Sequence, residues 1–347
     1  MRNPYQLLRQ RRARRRYLPK QPKGRRTTVG AALGAVVILI AAAIWLETRS
    51  ERRFEALLAA VPDGSDPVQS IVADARARRF LFIADVPGTA GSAALAGRVI
   101  ERLASTSGLD ALVVAVAEDQ QQWINQYLRS DPEDATPLMG HPDAAGGAGT
   151  PLLALYRDVW RINRQVGAAR SVRIVAAGMP ATVRARSTSP ARLAGEWAER
   201  DAHMLRVLDE RVLAREARAR VVFFLDGLHA LDTSIVLRME GASPVEIRSL
   251  AALLSERQPR EVWSVLVDPP PRAGAPAQIA SYAGTAAREV LRRENPALRS
   301  IALPIVASFG QASDWIRVTS RPGSSVTLSP PDASLADVAD VYVYLQN

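Results

Sequence analysis

Acidic side chains recur where the apolar runs of this sequence stop. Asp85 follows the run 80–84, Glu118 and Asp119 follow 111–116, Asp226 follows 220–225, and Asp268 follows 262–267. His229, one of only three histidines (with His141 and His203), lies three residues beyond Asp226. A carboxylate can move a proton or orient an imidazole, and an imidazole changes charge near neutral pH. Acids and a histidine gathered on one rim could therefore do acid–base work or hold a polar ligand. A second feature is Arg200-Asp201, which interrupts an apolar stripe of Leu193, Trp197, Met204, Leu208 and Val212 at three- and four-residue spacing. Charges on a buried stripe are costly unless paired, so the two mark an internal clamp, part of a pocket, or both.

Other chemistries are excluded by what is missing. The chain has no cysteine, which rules out thiolate nucleophiles, thiolate metal sites and disulfides. No serine sits in a G-x-S-x-G elbow, and Gly88-Thr-Ala-Gly91 is too short, and lacks the lysine, for a phosphate loop. The histidines show no HxH or HxxxH spacing. No cofactor and no metal ligand is expected; metal or haem is the alternative that the histidines leave open.

These groups need a frame. The apolar runs 80–84, 111–116, 172–177, 220–225 and 262–267 read as buried strands. Helical spacing links them over 92–104, 120–128, 152–166, 191–217 and 245–256, with further strands expected at 301–307 and 341–345. Continuous apolar strands separated by amphipathic helices predict an α/β fold, a mostly parallel sheet with helices on both faces as a three-layer sandwich. In such sheets ligands bind beyond the carboxyl ends of the strands, where the acids lie. Two long connections, 131–151 and 269–276, are rich in Pro, and the first also in Gly and Asp. They are expected to be lids or insertions.

The N-terminus fixes a topology. Residues 1–27 hold eleven Lys and Arg and no acid, and 29–46 form an unbroken run of 18 apolar or Gly residues. A helix of that length spans about 27 Å. With Trp45 suited to an interface, the run reads as an uncleaved single-pass anchor rather than a signal peptide. Basic residues favour the cytoplasmic side, so the expected organisation is a cytoplasmic tail (1–27), a transmembrane helix (28–46), a juxtamembrane helix and linker (47–67), and an extracytoplasmic domain (68–347) at the inner membrane. Beyond the tail the chain carries 34 basic and 35 acidic residues. The net charge of +10 is thus the tail's, which points to anionic lipid headgroups as its partner and not to nucleic acid.

In order along 79–268, Gly88-Thr89, Glu118, Arg200-Asp201-Ala202-His203-Met204 and Gly227-Leu228-His229-Ala230 resemble the erythromycin-esterase-like and ChaN-like superfamily, related to the TraB group. In that family the first strand ends in Gly-Glu-x-His-Gly, whose Glu and His are implicated in hydrolysis or ligand binding. Here the segment reads Ala84-Asp85-Val86-Pro87-Gly88, so Asp85 stands for the Glu and Pro87 for the His. Proline can neither ligate nor take a proton. Glu118 is displaced by two or three positions from the family's second-strand Glu, and Asp226 stands where a small Gly is common. Arg200, Asp201 and Met204 match the family's Arg-Asp-x-x-Met, and His229 its late histidine.

The resemblance thus implies half a site. It predicts a catalytically impaired binding or scaffold module with Asp85, Arg200, Asp201, Asp226 and His229 around a small ligand. The alternatives are an active tethered hydrolase of an ester-like substrate, with Asp85 or Glu118 as base and His229 as acid or base, and a component of an envelope protein complex with a vestigial pocket.

Overall fold

The computed structural model describes residues 66–85, 90–141, 151–180, 190–239, 245–268, 300–304, 317–319, 325–329 and 339–345. In chain order the elements are α1 (Pro67–Ala75), β1 (Phe80–Asp85), α2 (Ala90–Thr106), β2 (Ala111–Ala117), α3 (Gln121–Arg129), the single turn α4 (Thr136–Met139), α5 (Pro151–Val166), β3 (Arg173–Gly178), α6 (Pro190–Leu208), β4 (Val221–Asp226), β5 (Ser234–Met239), β6 (Val245–Arg248), α7 (Leu250–Arg257), β7 (Val262–Asp268), β8 (Ser300–Pro304), β9 (Arg317–Thr319), β10 (Ser325–Ser329) and β11 (Val341–Leu345). The first helix starts where Asp66 accepts a hydrogen bond from the Val68 amide at 3.0 Å and Pro67 takes the first-turn position.

Seven strands form the main sheet in the order β3-β2-β4-β1-β7-β11-β8. Every neighbouring pair is parallel except β11 with the edge strand β8. The expectation of a mostly parallel α/β sheet therefore holds. Alternation along the strands sorts side chains to two faces. Leu81, Ile83, Leu112, Val114, Ile174, Ala176, Val222, Phe224, Val265 and Val267 join a core cluster with α1, α2 and α5. The opposite face carries Phe82 and Phe223, stacked at 4.2 Å between centroids, and meets α6, α7 and the turn after β4.

The β4/β1 pair is where the connections diverge. The chain leaves β1 through α2 towards β2, and leaves β4 through α7 towards β7, on the other side of β1. Such a switch point opens a crevice at the carboxyl ends. Asp85 and Asp226 are register partners at that rim.

Two readings are corrected. Residues 245–248 are a strand, not the start of a helix: Val245 and Ile247 alternate with Glu246 and Arg248, and the helix begins only after Ser249, whose Oγ accepts from the Ala252 amide at 3.0 Å. The long helix expected over 191–217 ends at Leu208 and passes into a π-turn, Asp209–Leu213, with Ala214 N donating to Asp209 O at 2.8 Å. A second, antiparallel sheet of order β6-β5-β10-β9 was not expected at all. Its strands are three to six residues long, too short to show a period in the sequence.

The described part of the 131–151 connection is an insertion packed on α5. Tyr127 Oη donates to Glu133 (2.9 Å), Arg157 pairs with Glu133 (3.0 Å), and Trp160 Nε1 donates to Ser130 O (3.0 Å). Residues 142–150 and 269–276 lie outside the described residues, as do the expected anchor and tail. Among the described residues no helix is long and apolar enough to cross a membrane.

Candidate ligand site

The site is built from two elements on one face of the sheet. At the end of β4, Asp226 Oδ1 accepts from the Leu228 amide at 3.1 Å and opens a tight 3-10 turn, Gly227–Ala230. This cap folds the chain back under the sheet edge and buries His229, which is 5% exposed. Opposite it, α6 brings Asp201, which is 4% exposed. His229 Nδ1 lies 2.6 Å from Asp201 Oδ1. The same oxygen accepts from the Leu250 amide, in the first turn of α7, at 3.1 Å. A buried carboxylate is tolerated when its charge meets N–H donors, and here both a ring and a helix N-terminus supply them.

Arg200, partly buried, closes the other side of the ring. Its Nη2 lies 3.3 Å from His229 Nε2. A guanidinium has donors and no acceptor, so Nε2 must offer its lone pair. The neutral ring then carries its proton on Nδ1 and donates it to Asp201. Carboxylate, imidazole and guanidinium form one chain of hydrogen bonds, negative at one end and positive at the other. Met204, one turn further on α6, is buried at 1% exposure.

Glu118 belongs to a different cluster. It follows β2 at an irregular point: the β2–β3 register shifts between Val114 and Ala117, and an ideal Cβ on Gly178 would fall 2.6 Å from Ala115 O. This close approach lets β3 run against the bulge that aims Glu118. Glu118 Oε2 accepts from Arg211 Nη2 at 3.2 Å and lies 3.7 Å from His203 Nε2. His203 Nδ1 in turn faces Arg206 Nη2 at 2.9 Å. Among the described residues neither Glu118 nor His203 touches His229. His141 stacks on Trp123 with centroids 3.7 Å apart.

Of the residues singled out from the sequence, Arg200, Asp201 and His229 meet directly. Asp226 acts through its backbone cap on the His229 turn. Asp85 joins them at the level of the backbone, as the register partner of Asp226; the side chains of Asp85 and Asp268 lie outside the description, as does Pro87. Among the described residues no three His, Asp or Glu side chains converge to hold a metal. A cleft of about 470 Å³, lined by Asp66, Arg98, Glu101, Arg102 and Ile162, opens on the opposite face of the sheet.

A partly buried carboxylate pair has no signature of its own in the sequence. Ser264, fully buried in β7, donates from Oγ to Asp232 Oδ1 at 2.9 Å and from its amide to Asp340 Oδ2 at 2.8 Å. Burial, reinforced by the charge of Asp340, pushes the Asp232 carboxyl up to about 7. Burial also raises Asp340, against the pull of the Ser264 amide and Arg78. The signal was one serine in an otherwise apolar strand.

No protein-family profile and no curated protein matches the sequence. Solved structures do. The chain is similar to an erythromycin esterase mutant in its open conformation, with TM-score 0.53, 10% identity, and 80% of this chain and 92% of that one covered. A protein from Bacillus cereus matches at TM-score 0.53 and 10% identity over 81% and 90% of the two chains. A succinoglycan biosynthesis protein matches at TM-score 0.50 and 10% identity over 83% and 92%. The fold is the erythromycin-esterase-like one. At such identity the likeness is one of fold alone. Within this fold Arg200 and Asp201 meet His229 from 28 or 29 residues away in the chain.

Proposed function

We propose that this chain is a membrane-anchored, extracytoplasmic binding module whose ligand sits at Arg200 and His229, and that its hydrolytic chemistry is impaired. The observation that carries this reading is the occupation of His229 Nε2 by Arg200 at 3.3 Å. A general base needs a lone pair within reach of the proton it removes. The Asp201–His229 pair has the form of an oriented base, but its open nitrogen faces a cation. The two positions from which the family supplies its early acid and base hold Asp85 and Pro87, and proline supplies neither group. Glu118, the other candidate base, has Arg211 on its carboxylate.

The anchor and the inner-membrane location rest on the sequence: eleven basic residues, then an 18-residue apolar run. The tail meets anionic headgroups, and the domain meets a small molecule or an envelope protein.

An ester-hydrolysis screen of the wild type, Asp85→Asn and His229→Ala tests the binding reading. Equal background rates are expected in all three. A wild-type rate that both substitutions abolish would establish the tethered hydrolase instead. A reporter fused after Asn347 tests topology; activity of a cytosol-only reporter there would overturn the orientation.

A further inference from the structure

Two groups on α6 are incompletely used. Among the described residues the Arg200 guanidinium makes one hydrogen bond, to His229 Nε2. It has five N–H donors. One helical turn earlier, Glu196 has a buried Oε1 with no hydrogen-bond partner among the described residues. Residues four apart share a helix face, with Cβ atoms about 5–6 Å apart. Among the described residues an unfilled acceptor and unfilled donors therefore share one face of α6.

We propose that Arg200 is the receptor for a small oxyanion, a carboxylate or phosphate, that also carries a hydroxyl or ammonium group. The anion draws the guanidinium off the ring. The ligand's own donor then meets the orphan Glu196 Oε1. This rests on the reading of Arg200, Asp201 and His229 as the ligand site, and it names the class of ligand.

Bond strengths favour the exchange. A guanidinium binds an oxyanion through two parallel charge-assisted hydrogen bonds, about twice as strong as neutral ones, whereas its bond to Nε2 is single and lies beyond the usual 2.7–3.2 Å range. Exposure gives the order of events. His229 and Asp201 are 5% and 4% exposed, while Arg200 is only partly buried, so a ligand from solvent reaches the guanidinium first. Once the cation turns to the ligand, Asp201 remains hydrogen-bonded to Nδ1–H and Leu250 N–H, so the machinery behind the ring does not move.

The test uses the full chain, labelled with ¹⁵N in its three histidine rings, in phosphatidylcholine nanodiscs. Lactate and inorganic phosphate are titrated separately, and phosphatidylglycerol discs without either probe form a third arm. The expected result is a saturable downfield movement of the His229 Nε2 resonance, towards a free lone pair, with Nδ1 remaining protonated. Movement with lactate or phosphate identifies a soluble ligand; movement in phosphatidylglycerol alone identifies a lipid headgroup. In Arg200→Met the resonance starts at the free position and responds to no probe. Arg200→Lys keeps a cation and responds with affinity about tenfold weaker, since an ammonium cannot grip an oxyanion through two bonds. No movement in any wild-type arm, with Arg200→Met already displaced, overturns the anion receptor and leaves the three-residue site standing. An Arg200→Met spectrum that matches the wild type overturns the site itself.

Discussion

Asp201 and His229 share a 2.6 Å hydrogen bond at the junction of α6 with the turn after β4, and the same Asp201 oxygen holds the first amide of α7. One carboxylate thus ties three segments together. Asp201→Ala leaves the His229 Nδ1–H and the Leu250 N–H without an acceptor. An unsatisfied buried donor costs about 1–3 kcal/mol. We expect Asp201→Ala to lower unfolding free energy by about 3 kcal/mol, and Asp201→Asn, which keeps an acceptor oxygen, by about half of that. Urea unfolding of the full chain measures both. Equal losses would mean that charge, not hydrogen bonding, secures the junction.

Strands β1, β2, β3, β4 and β7 were legible because each is a short apolar run between amphipathic helices, and burial on both faces leaves that pattern in the sequence. Arg200 and Asp201 were legible for the opposite reason: they break a stripe. What could not be read is pairing at a distance. Nothing near Asp201 says that its partner is a ring 28 residues later, nor that Arg200 sits on the far nitrogen. The strand Val245–Arg248 reads as helix in the sequence because Leu250, Leu253 and Leu254 follow it closely, and four residues of alternation are outweighed by the helical spacing that follows. Ser264 sits within an apolar strand; its role exists only because Asp232 and Asp340 arrive from elsewhere in the chain.

Two glycines separate flexible from rigid constraints. An ideal Cβ on Gly97, in α2, would meet Asp158 Oδ2 of α5 at 2.3 Å. That oxygen ends a side chain that can rotate, and alanine is worth about 1 kcal/mol over glycine in a helix. Gly97→Ala is expected to change stability by less than about 1 kcal/mol. On Gly178 the same atom meets the backbone of Ala115 and Val116 at 2.6–2.9 Å, where nothing can swing aside. Gly178→Ala is expected to cost about 2–3 kcal/mol, within the range for overpacking. It should also disturb the Glu118–Arg211 pair that follows the bulge, visible as a changed Glu118 side-chain carboxyl resonance in ¹³C NMR. Similar costs at the two sites would refute the distinction.

Tyr156 is fully buried on α5, its Oη has no hydrogen-bond partner among the described residues, and burial raises its pKa. An unmet hydroxyl in a core is a standing cost that phenylalanine removes without changing the ring. Tyr156→Phe should be neutral or stabilising by about 1 kcal/mol in thermal unfolding. A loss greater than that would reveal a partner for the hydroxyl.

Asp232 sets a pH dependence with a definite sign. Its carboxyl titrates at about 7 in the folded chain, because it is buried and faces Asp340, and near 4 when unfolded. Between those values the folded chain holds a proton that the unfolded chain has lost. By linkage, the contribution of this group is fully present below about pH 4, declines as pH rises towards 7, and is constant above that. Three pH units correspond to at most about 4 kcal/mol. The Asp340 carboxyl, also raised, adds in the same direction, while Arg78 opposes it and Asp74 reinforces it. Asp232→Asn keeps an acceptor for Ser264 Oγ and cannot ionise. It should flatten the decline between pH 4 and 7 and leave the variant more stable than the wild type at pH 8. Unfolding free energies measured at each pH decide this. Parallel curves for the two chains would mean that Asp232 is ionised across the whole range and that Ser264 hydrogen-bonds to a charged carboxylate.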